Sequence, residues 1–175
     1  MIVSACVSER RDWFWLSKRA ARFDCEVSQD RETAIIGVMG PKSTRLLRAI
    51  CDDPDQAEQI DYYTSTLLTA RDITFRANRF SYVGERGFEL YLPAHEAKEH
   101  WQRLLGAGAP LNIRAAGFHA MNACRMEKGY RHWGDDIHVT SRHCKRALAS
   151  PPRKTRQTTS ANRSSMLSAG CRRAA

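Results

Sequence analysis

Residues 80–92, Phe-Ser-Tyr-Val-Gly-Glu-Arg-Gly-Phe-Glu-Leu-Tyr-Leu, constrain the fold more than any other stretch of the chain. Large side chains alternate on both sides of Gly84-Glu85-Arg86-Gly87, the period-2 pattern of two strands joined by a short loop with glycines where unusual backbone angles are needed. A four-residue loop there sets Tyr82 opposite Glu89 and Phe80 opposite Tyr91. One face of such a ribbon carries three aromatic rings and a carboxylate. The other carries Ser81, Val83, Phe88, Leu90 and Leu92, as a core side does.

An acid among rings suits a flat ligand with two adjacent N–H donors, because a carboxylate accepts both while the rings pack on the ligand's faces. A 2-amino-4-oxo-pteridine has such an edge. The same spacing is also satisfied by a solvated Glu89 on the wet face of an ordinary antiparallel hairpin, and spacing alone leaves both readings open.

The rest of the chain narrows the setting. At 175 residues, with 42% hydrophobic and 9% aromatic residues, it is long enough for one domain with a real core. No run approaches the roughly 18 apolar residues of a membrane span. The opening Met-Ile-Val-Ser-Ala-Cys-Val-Ser-Glu-Arg-Arg-Asp matches neither a secretory signal nor a transit peptide, which predicts a cytoplasmic protein without a membrane contact. Six cysteines are scattered without a C-x-x-C pair or zinc-site spacing, so they read as reduced thiols. The net charge of +9 is not spread evenly: residues 141–175 hold nine Lys and Arg and no acid, and the remaining 19 basic residues are matched by 19 acidic ones. That tail, rich in Ser, Thr, Arg, Pro and Ala and lacking aromatic rings, is expected to be disordered.

Periodicity predicts an element order. Ile2–Val7 is a strand candidate and Arg11–Phe23 a helix, with Trp13, Leu16, Ala20 and Phe23 at helical spacing. Cys25–Ser28 and Thr33–Met39 read as a hairpin around Gln29-Asp30-Arg31-Glu32. Gly40-Pro41 opens a helix with a Leu46, Leu47, Ile50 stripe. The polar stretch from Asp52 through Asp61 reads as loop, Tyr62–Leu68 as a strand, and Arg71–Val83 as a long strand with a break or bulge near Ala77–Arg79. Helices are predicted over Pro93–Gly106 and Arg114–Lys128, the second weakened at its start by Gly117. This order lacks strict βαβα alternation and predicts an α+β domain over residues 1–140 with a mostly antiparallel sheet and packed helices.

Common catalytic and nucleotide fingerprints are absent: no G-x-G-x-x-G, and hence no FAD or dinucleotide site, and no Walker A, G-x-S-x-G or H-E-x-x-H pattern. His95 and His100 read as solvated residues of a polar helix face, while His119 and His132 fit either site residues or, more commonly, surface or cap groups, and Asp135-Asp136 fits either a cation-binding pair or, more commonly, two wet acids. In the block Met121–Ile137, Arg125 and Glu127 cannot share a helix face, so each pairs elsewhere, while Tyr130 and Trp133 are placed to close over a neighbouring surface; spacing alone equally fits a helix end with a packed exit loop.

Two blocks, residues 79–93 and the Arg-Met-Glu-Lys-Gly-Tyr-Arg-His-Trp-Gly-Asp-Asp-Ile of residues 125–137, resemble the folate-binding aminomethyltransferase domain of the glycine cleavage T-protein family. The dimethylglycine and sarcosine dehydrogenase branch, where that domain follows a flavin domain, is the more similar. The resemblance implies that Tyr82 and Glu89 contact tetrahydrofolate, Glu89 at the pterin edge, and that the parent family passes a one-carbon unit to the bound folate. It also implies departures. The family's catalytic aspartate lies upstream of the matching region, so no catalytic residue is assigned here. A folate-holding arginine of the T-protein falls at Met121. The C-terminal β-barrel has no counterpart in the basic tail.

The expectation is therefore a truncated tetrahydrofolate-binding domain, weak or inactive alone, with folate as ligand and a separate flavin dehydrogenase chain as a candidate partner. The competing expectation is a non-enzymatic binding module whose basic tail meets nucleic acid or another polyanion in a salt-sensitive way.

Overall fold

The computed structural model describes residues 1–137. The tail at 141–175 lies outside the described residues. The domain is α+β, as expected. Four strands, β1 (Thr33–Met39), β2 (Ser65–Ala70), β3 (Ile73–Asn78) and β4 (Gly87–Pro93), form one antiparallel sheet in the order β1-β4-β3-β2. The helices are α1 (Glu9–Ala20), α2 (Ser43–Ile50), α3 (Pro54–Gln59), α4 (Ala97–Gly108) and α5 (Phe118–Glu127).

The sheet has two chemically different faces because side chains alternate along each strand. Inward, Ile36 and Val38 of β1, Leu68 and Ala70 of β2, Phe75 and Ala77 of β3, and Phe88, Leu90 and Leu92 of β4 pack with Leu46, Leu47, Ala57, Ile60 and Leu104 into one core. Outward, the register lines up two rows across the sheet: Ile35, Tyr91, Arg76 and Leu67 in one, Gly37, Glu89, Asn78 and Ser65 in the next.

The hairpin register differs from the expected one by four residues. β3 stops at Asn78, which pairs with Glu89, and residues 79–86 form a loop in place of a tight turn. Long-range contacts decide this. The Arg79 amide donates to the Thr64 carbonyl at 2.9 Å and its carbonyl accepts from Tyr63 at 2.9 Å, holding Arg79 to the β2 side. At the other end of the loop the Gly40 amide donates to the Arg86 carbonyl at 2.7 Å. Gly84, at φ +75°, lies under the Lys128 stem so closely that a Cβ would meet Lys128 Cγ at 2.2 Å. The Lys128 ammonium pairs with Glu85 at 2.7 Å. The break expected near Ala77–Arg79 is thus the end of the strand.

Other elements also moved. Ile2–Val7 is not a strand: residues 6–8 make a single 3-10 turn leading into α1, whose Asp12 carboxylate accepts from the Ser8 hydroxyl. Cys25–Ser28 pairs with nothing as a strand, because the Asp30 carboxylate takes the Glu32 and Thr33 amides and the Thr33 hydroxyl in a local turn, and β1 pairs with β4 instead. Helix α1 ends at Ala20, short of Phe23, and buries none of its residues. Its Phe14 and Trp15 rings lie under Lys18 and Arg19 at 5.7 and 5.3 Å. The stretch expected as loop contains α3, started by Asp53, whose side chain accepts the Asp55 amide, with Pro54 at the first helical position. The Tyr62–Leu68 strand begins at Ser65 after Tyr63 turns through φ 64°. The Pro93–Gly106 helix is a 3-10 turn followed by α4, which runs on to Gly108. The Arg114–Lys128 helix starts only at Phe118, with Gly117 as its N-cap. Among the described residues, Cys25, Cys51 and Cys124 are free thiols, and no helix is long and apolar enough to cross a membrane.

His95 is exposed, as expected, but His100 is not. Its ring is 1% exposed, packs edge-on against Phe75 at 4.8 Å, and neither nitrogen has a hydrogen-bond partner. His95 lies in the 3-10 turn ahead of α4 and His100 within α4 itself, and the sheet covers only His100. Burial holds His100 below the ordinary histidine value of 6.5, with Arg103 adding to this and Glu96 and Glu99 opposing it. The unfolded chain takes up this proton near 6.5 and the folded chain only at lower pH, so stability is complete above 6.5 and falls as the pH drops below it. His100→Leu removes a buried polar ring worth about 1–3 kcal/mol of unmet hydrogen bonding. The expected outcome is an unfolding midpoint in urea at pH 7 no lower than wild type, and a flatter decline between pH 6.5 and 5.

Candidate functional site

Glu89 lies on the central strand β4 at the last pair of its ladder with β3 and points away from the core, flanked by Gly37 on β1 and Asn78 on β3. It is half-buried, and the Tyr91 hydroxyl donates to its Oε2 at 2.8 Å. Glu89 and Tyr91 share the outward face two residues apart, so strand geometry alone brings the pair together. Asn78, across from Glu89, has its Oδ1 buried without a partner. Arg76, opposite Tyr91, is turned to the Ser65 hydroxyl at 3.0 Å. Burial pushes the Glu89 carboxyl above its ordinary value and the Tyr91 hydrogen bond works against that rise. Tyr91 is pushed up to about 12, first by burial and then by the hydrogen bond to Glu89 and its charge. The result is a carboxylate held in one orientation on a sheet face, able to accept from a donor edge laid against it.

Tyr82 belongs to a different constellation. It lies in the 79–86 loop, and its hydroxyl meets His132 Nδ1 at 3.1 Å and the Arg131 carbonyl at 3.4 Å. Its ring stacks with Tyr130 at 6.3 Å, and Phe118 sits edge-on to His132 at 6.0 Å. The expected face-to-face pair of Tyr82 and Glu89 does not form: across from Glu89 is Asn78, and the tyrosine bound to its carboxylate is Tyr91.

Arg125 holds the second constellation in place. Only 2% exposed, it donates to Asn122 Oδ1 at 2.7 Å and to the Tyr130 carbonyl at 3.0 Å, and it pairs with Asp136. Asp136 also accepts the His132 amide at 2.8 Å, and that bond, ahead of Arg125, holds its carboxyl below the ordinary range. So Arg125 pairs elsewhere, as its spacing from Glu127 suggested, and Asp136 is committed to it. Tyr130 closes over Tyr82, while Trp133 receives the Arg11 guanidinium of α1 at 4.9 Å.

A cleft of about 780 Å³ opens between the N-terminal residues, α1 and the sheet, with Trp13, Leu16, Ile35 and Tyr91 on its walls. Neither Glu89 nor Tyr82 lines it. The cleft begins one row away from Glu89, two residues along the strand or about 6.8 Å. Asn78 and Gly37, which frame the carboxylate, were not marked as site residues by the sequence. The available signal was Asn78 itself, a poor strand former where the long strand was expected to break.

Residues 1–149 match the GCVT N-terminal domain. The chain belongs to that family. Relatives include the 4-methylaminobutanoate oxidase (formaldehyde-forming) of Paenarthrobacter nicotinovorans, 41% identical over 120 residues that make up 69% of this chain and 14% of that protein. The mitochondrial dimethylglycine dehydrogenase of Rattus norvegicus is 30% identical over 140 residues, 78% of this chain and 16% of that one. The aminomethyltransferase of Thermotoga maritima is 33% identical over 138 residues, 78% of this chain and 37% of that one. The GCVT-family chain therefore spans well under half the length of each. Both groups that its two motifs resemble, aminomethyltransferases and dimethylglycine and sarcosine dehydrogenases, are among its relatives.

Two substitutions test the two networks. Asp136→Ala leaves the buried Arg125 guanidinium without its counter-charge, and a loss of about 3 kcal/mol in urea unfolding is expected. Tyr91→Phe keeps the ring and removes only the donor, so stability falls by about 1 kcal/mol. Because that donor favours the ionised carboxylate, the Glu89 titration followed by carboxyl carbon-13 NMR moves to higher pH in this variant.

Proposed function

We propose that residues 1–140 form a tetrahydrofolate-binding unit of the aminomethyltransferase type, part of a domain whose family works in folate-linked one-carbon transfer. Glu89 accepts the donor edge of the pterin, and Tyr82 contributes a ring from the adjoining loop. The observation that carries this reading is the half-buried Glu89 carboxylate, oriented by Tyr91 on an outward sheet face between Gly37 and Asn78. A solvated surface glutamate needs no such support, and burying part of a carboxylate is unfavourable unless something balances its charge or donates hydrogen bonds to it. Family membership adds independent support, since the relatives include an aminomethyltransferase and N-methyl amine dehydrogenases.

The unit is proposed to hold folate rather than to carry out chemistry by itself. Several carboxylates near the cleft beside Tyr91 are already engaged: Asp12 by Ser8 and Arg11, Asp30 by the Thr33 hydroxyl, Glu9 by Arg31 at 3.8 Å. None of these is placed as an idle acid or base. Bound tetrahydrofolate would supply the nitrogen nucleophile that captures a one-carbon unit. A flavin dehydrogenase acting on an N-methyl amine, on a separate chain, is the proposed source of that unit.

Calorimetry with tetrahydrofolate tests this. Glu89→Gln exchanges one acceptor oxygen for a donor amide, and a loss of about 2 kcal/mol, roughly thirtyfold in affinity, is expected. Equal binding by the variant and the wild type would sink the assignment of Glu89.

A further inference from the structure

Gly37 lies at the centre of β1 in Thr-Ala-Ile-Ile-Gly-Val-Met, a run otherwise suited to a strand. Glycine weakens a strand interior, so its presence there points to a bulge, a packing constraint or a close approach from outside. The first two do not apply. β1 pairs with β4 without interruption from Thr33 to Met39, and Gly37 is not among the glycines at positive φ. A Cβ built on it would meet Met39 Cε at 3.4 Å, an ordinary van der Waals distance to the end of a flexible side chain. The fold tolerates a larger residue at this position.

What distinguishes the position is its neighbour. Gly37 is exposed and stands directly opposite Glu89 on the outward face, where paired Cβ atoms are about 5 Å apart. One row away the same strand places Ile35 against Tyr91, a large side chain beside a large ring. On the other side of Glu89 is Asn78, with its unpartnered Oδ1. On the β1 flank of the carboxylate the bulk is the flexible end of Met39, whose Cε lies 3.4 Å from where a Gly37 Cβ would sit. A planar ring whose N–H edge meets Glu89 needs a surface for its face, and the β1 backbone at Gly37, with the Met39 end swung aside, offers a flat one.

We propose that Gly37 is a specificity-determining position: its missing side chain leaves room for a flat amino-oxo heterocycle to lie on β1 while its donor edge meets Glu89. This rests on the reading of Glu89 as the acceptor of the pterin edge. Valine at 37 fills that space with two methyl groups, and alanine fills part of it.

The full-length chain is compared as wild type, Gly37→Ala, Gly37→Val and Glu89→Gln, by thermal unfolding and by calorimetry with tetrahydrofolate. Expected are unfolding midpoints for both Gly37 variants at or above wild type, since either residue suits a strand better than glycine. Affinity should fall about tenfold or more for Gly37→Val and by less for Gly37→Ala. If Gly37→Val binds as tightly as wild type while Glu89→Gln loses affinity, the Gly37 proposal is overturned and the Glu89 reading stands. A Gly37→Ala chain that unfolds at markedly lower temperature also overturns it, because the glycine is then structural. Wild-type binding that is absent, or unchanged in Glu89→Gln, removes the Glu89 reading and this proposal with it.

Discussion

The structure depends on β4 as a central strand. Its inward residues Phe88, Leu90 and Leu92 are essentially inaccessible and join the core strands to the helices, while Glu89 and Tyr91 project from the opposite face. Pairing with β1 along its whole length and with β3 from Glu89 to Tyr91 flanks β4 on both edges where the carboxylate is mounted. Any slip by one residue would exchange the two faces and bury Glu89 in the core. The hydrophobic demand of Phe88, Leu90 and Leu92 therefore fixes the outward aim of Glu89.

Around that strand the molecule uses polar groups in two ways. On the sheet surface the Tyr91 hydroxyl, donating to Glu89, sets the orientation of the carboxylate. The Arg125 network is structural: it folds residues 129–137 back onto α5 and presents Tyr130 and His132 to Tyr82. The two motifs that mark the family thus occupy separate places, one on the sheet and one at the end of α5. The 79–86 loop, pinned by Lys128, ties them together. Helix α1 stands apart, its rings met by cations rather than by core, and its Arg11 reaches Trp133 in the second motif.

Much of the site was legible in the order of residues. Alternation over residues 87–92 assigned Phe88, Leu90 and Leu92 to the core and Glu89 and Tyr91 to the other face, and this holds whatever the register. The α+β class and the helices over α1, α2, α4 and α5 followed from periodicity, with ends off by a few residues where caps such as Gly117 and Asp53 set them. The buried state of His100 was not legible, because a helix face becomes core only when a sheet is laid against it.

Sequence by itself determined which face of β4 carries the acid, since the period of a strand is a local property of the chain. It did not determine what stands beside that acid. The partner of Glu89 depended on where β3 ends, and that was decided by the Arg79 pairing with residues 63 and 64 and by Gly84 packed under Lys128, contacts between segments far apart in the chain. Gly37 and Asn78 became neighbours of Glu89 only once three strands were aligned. Register across a sheet is a tertiary quantity, set by the sum of distant contacts, and here it turned an isolated glutamate into a framed one.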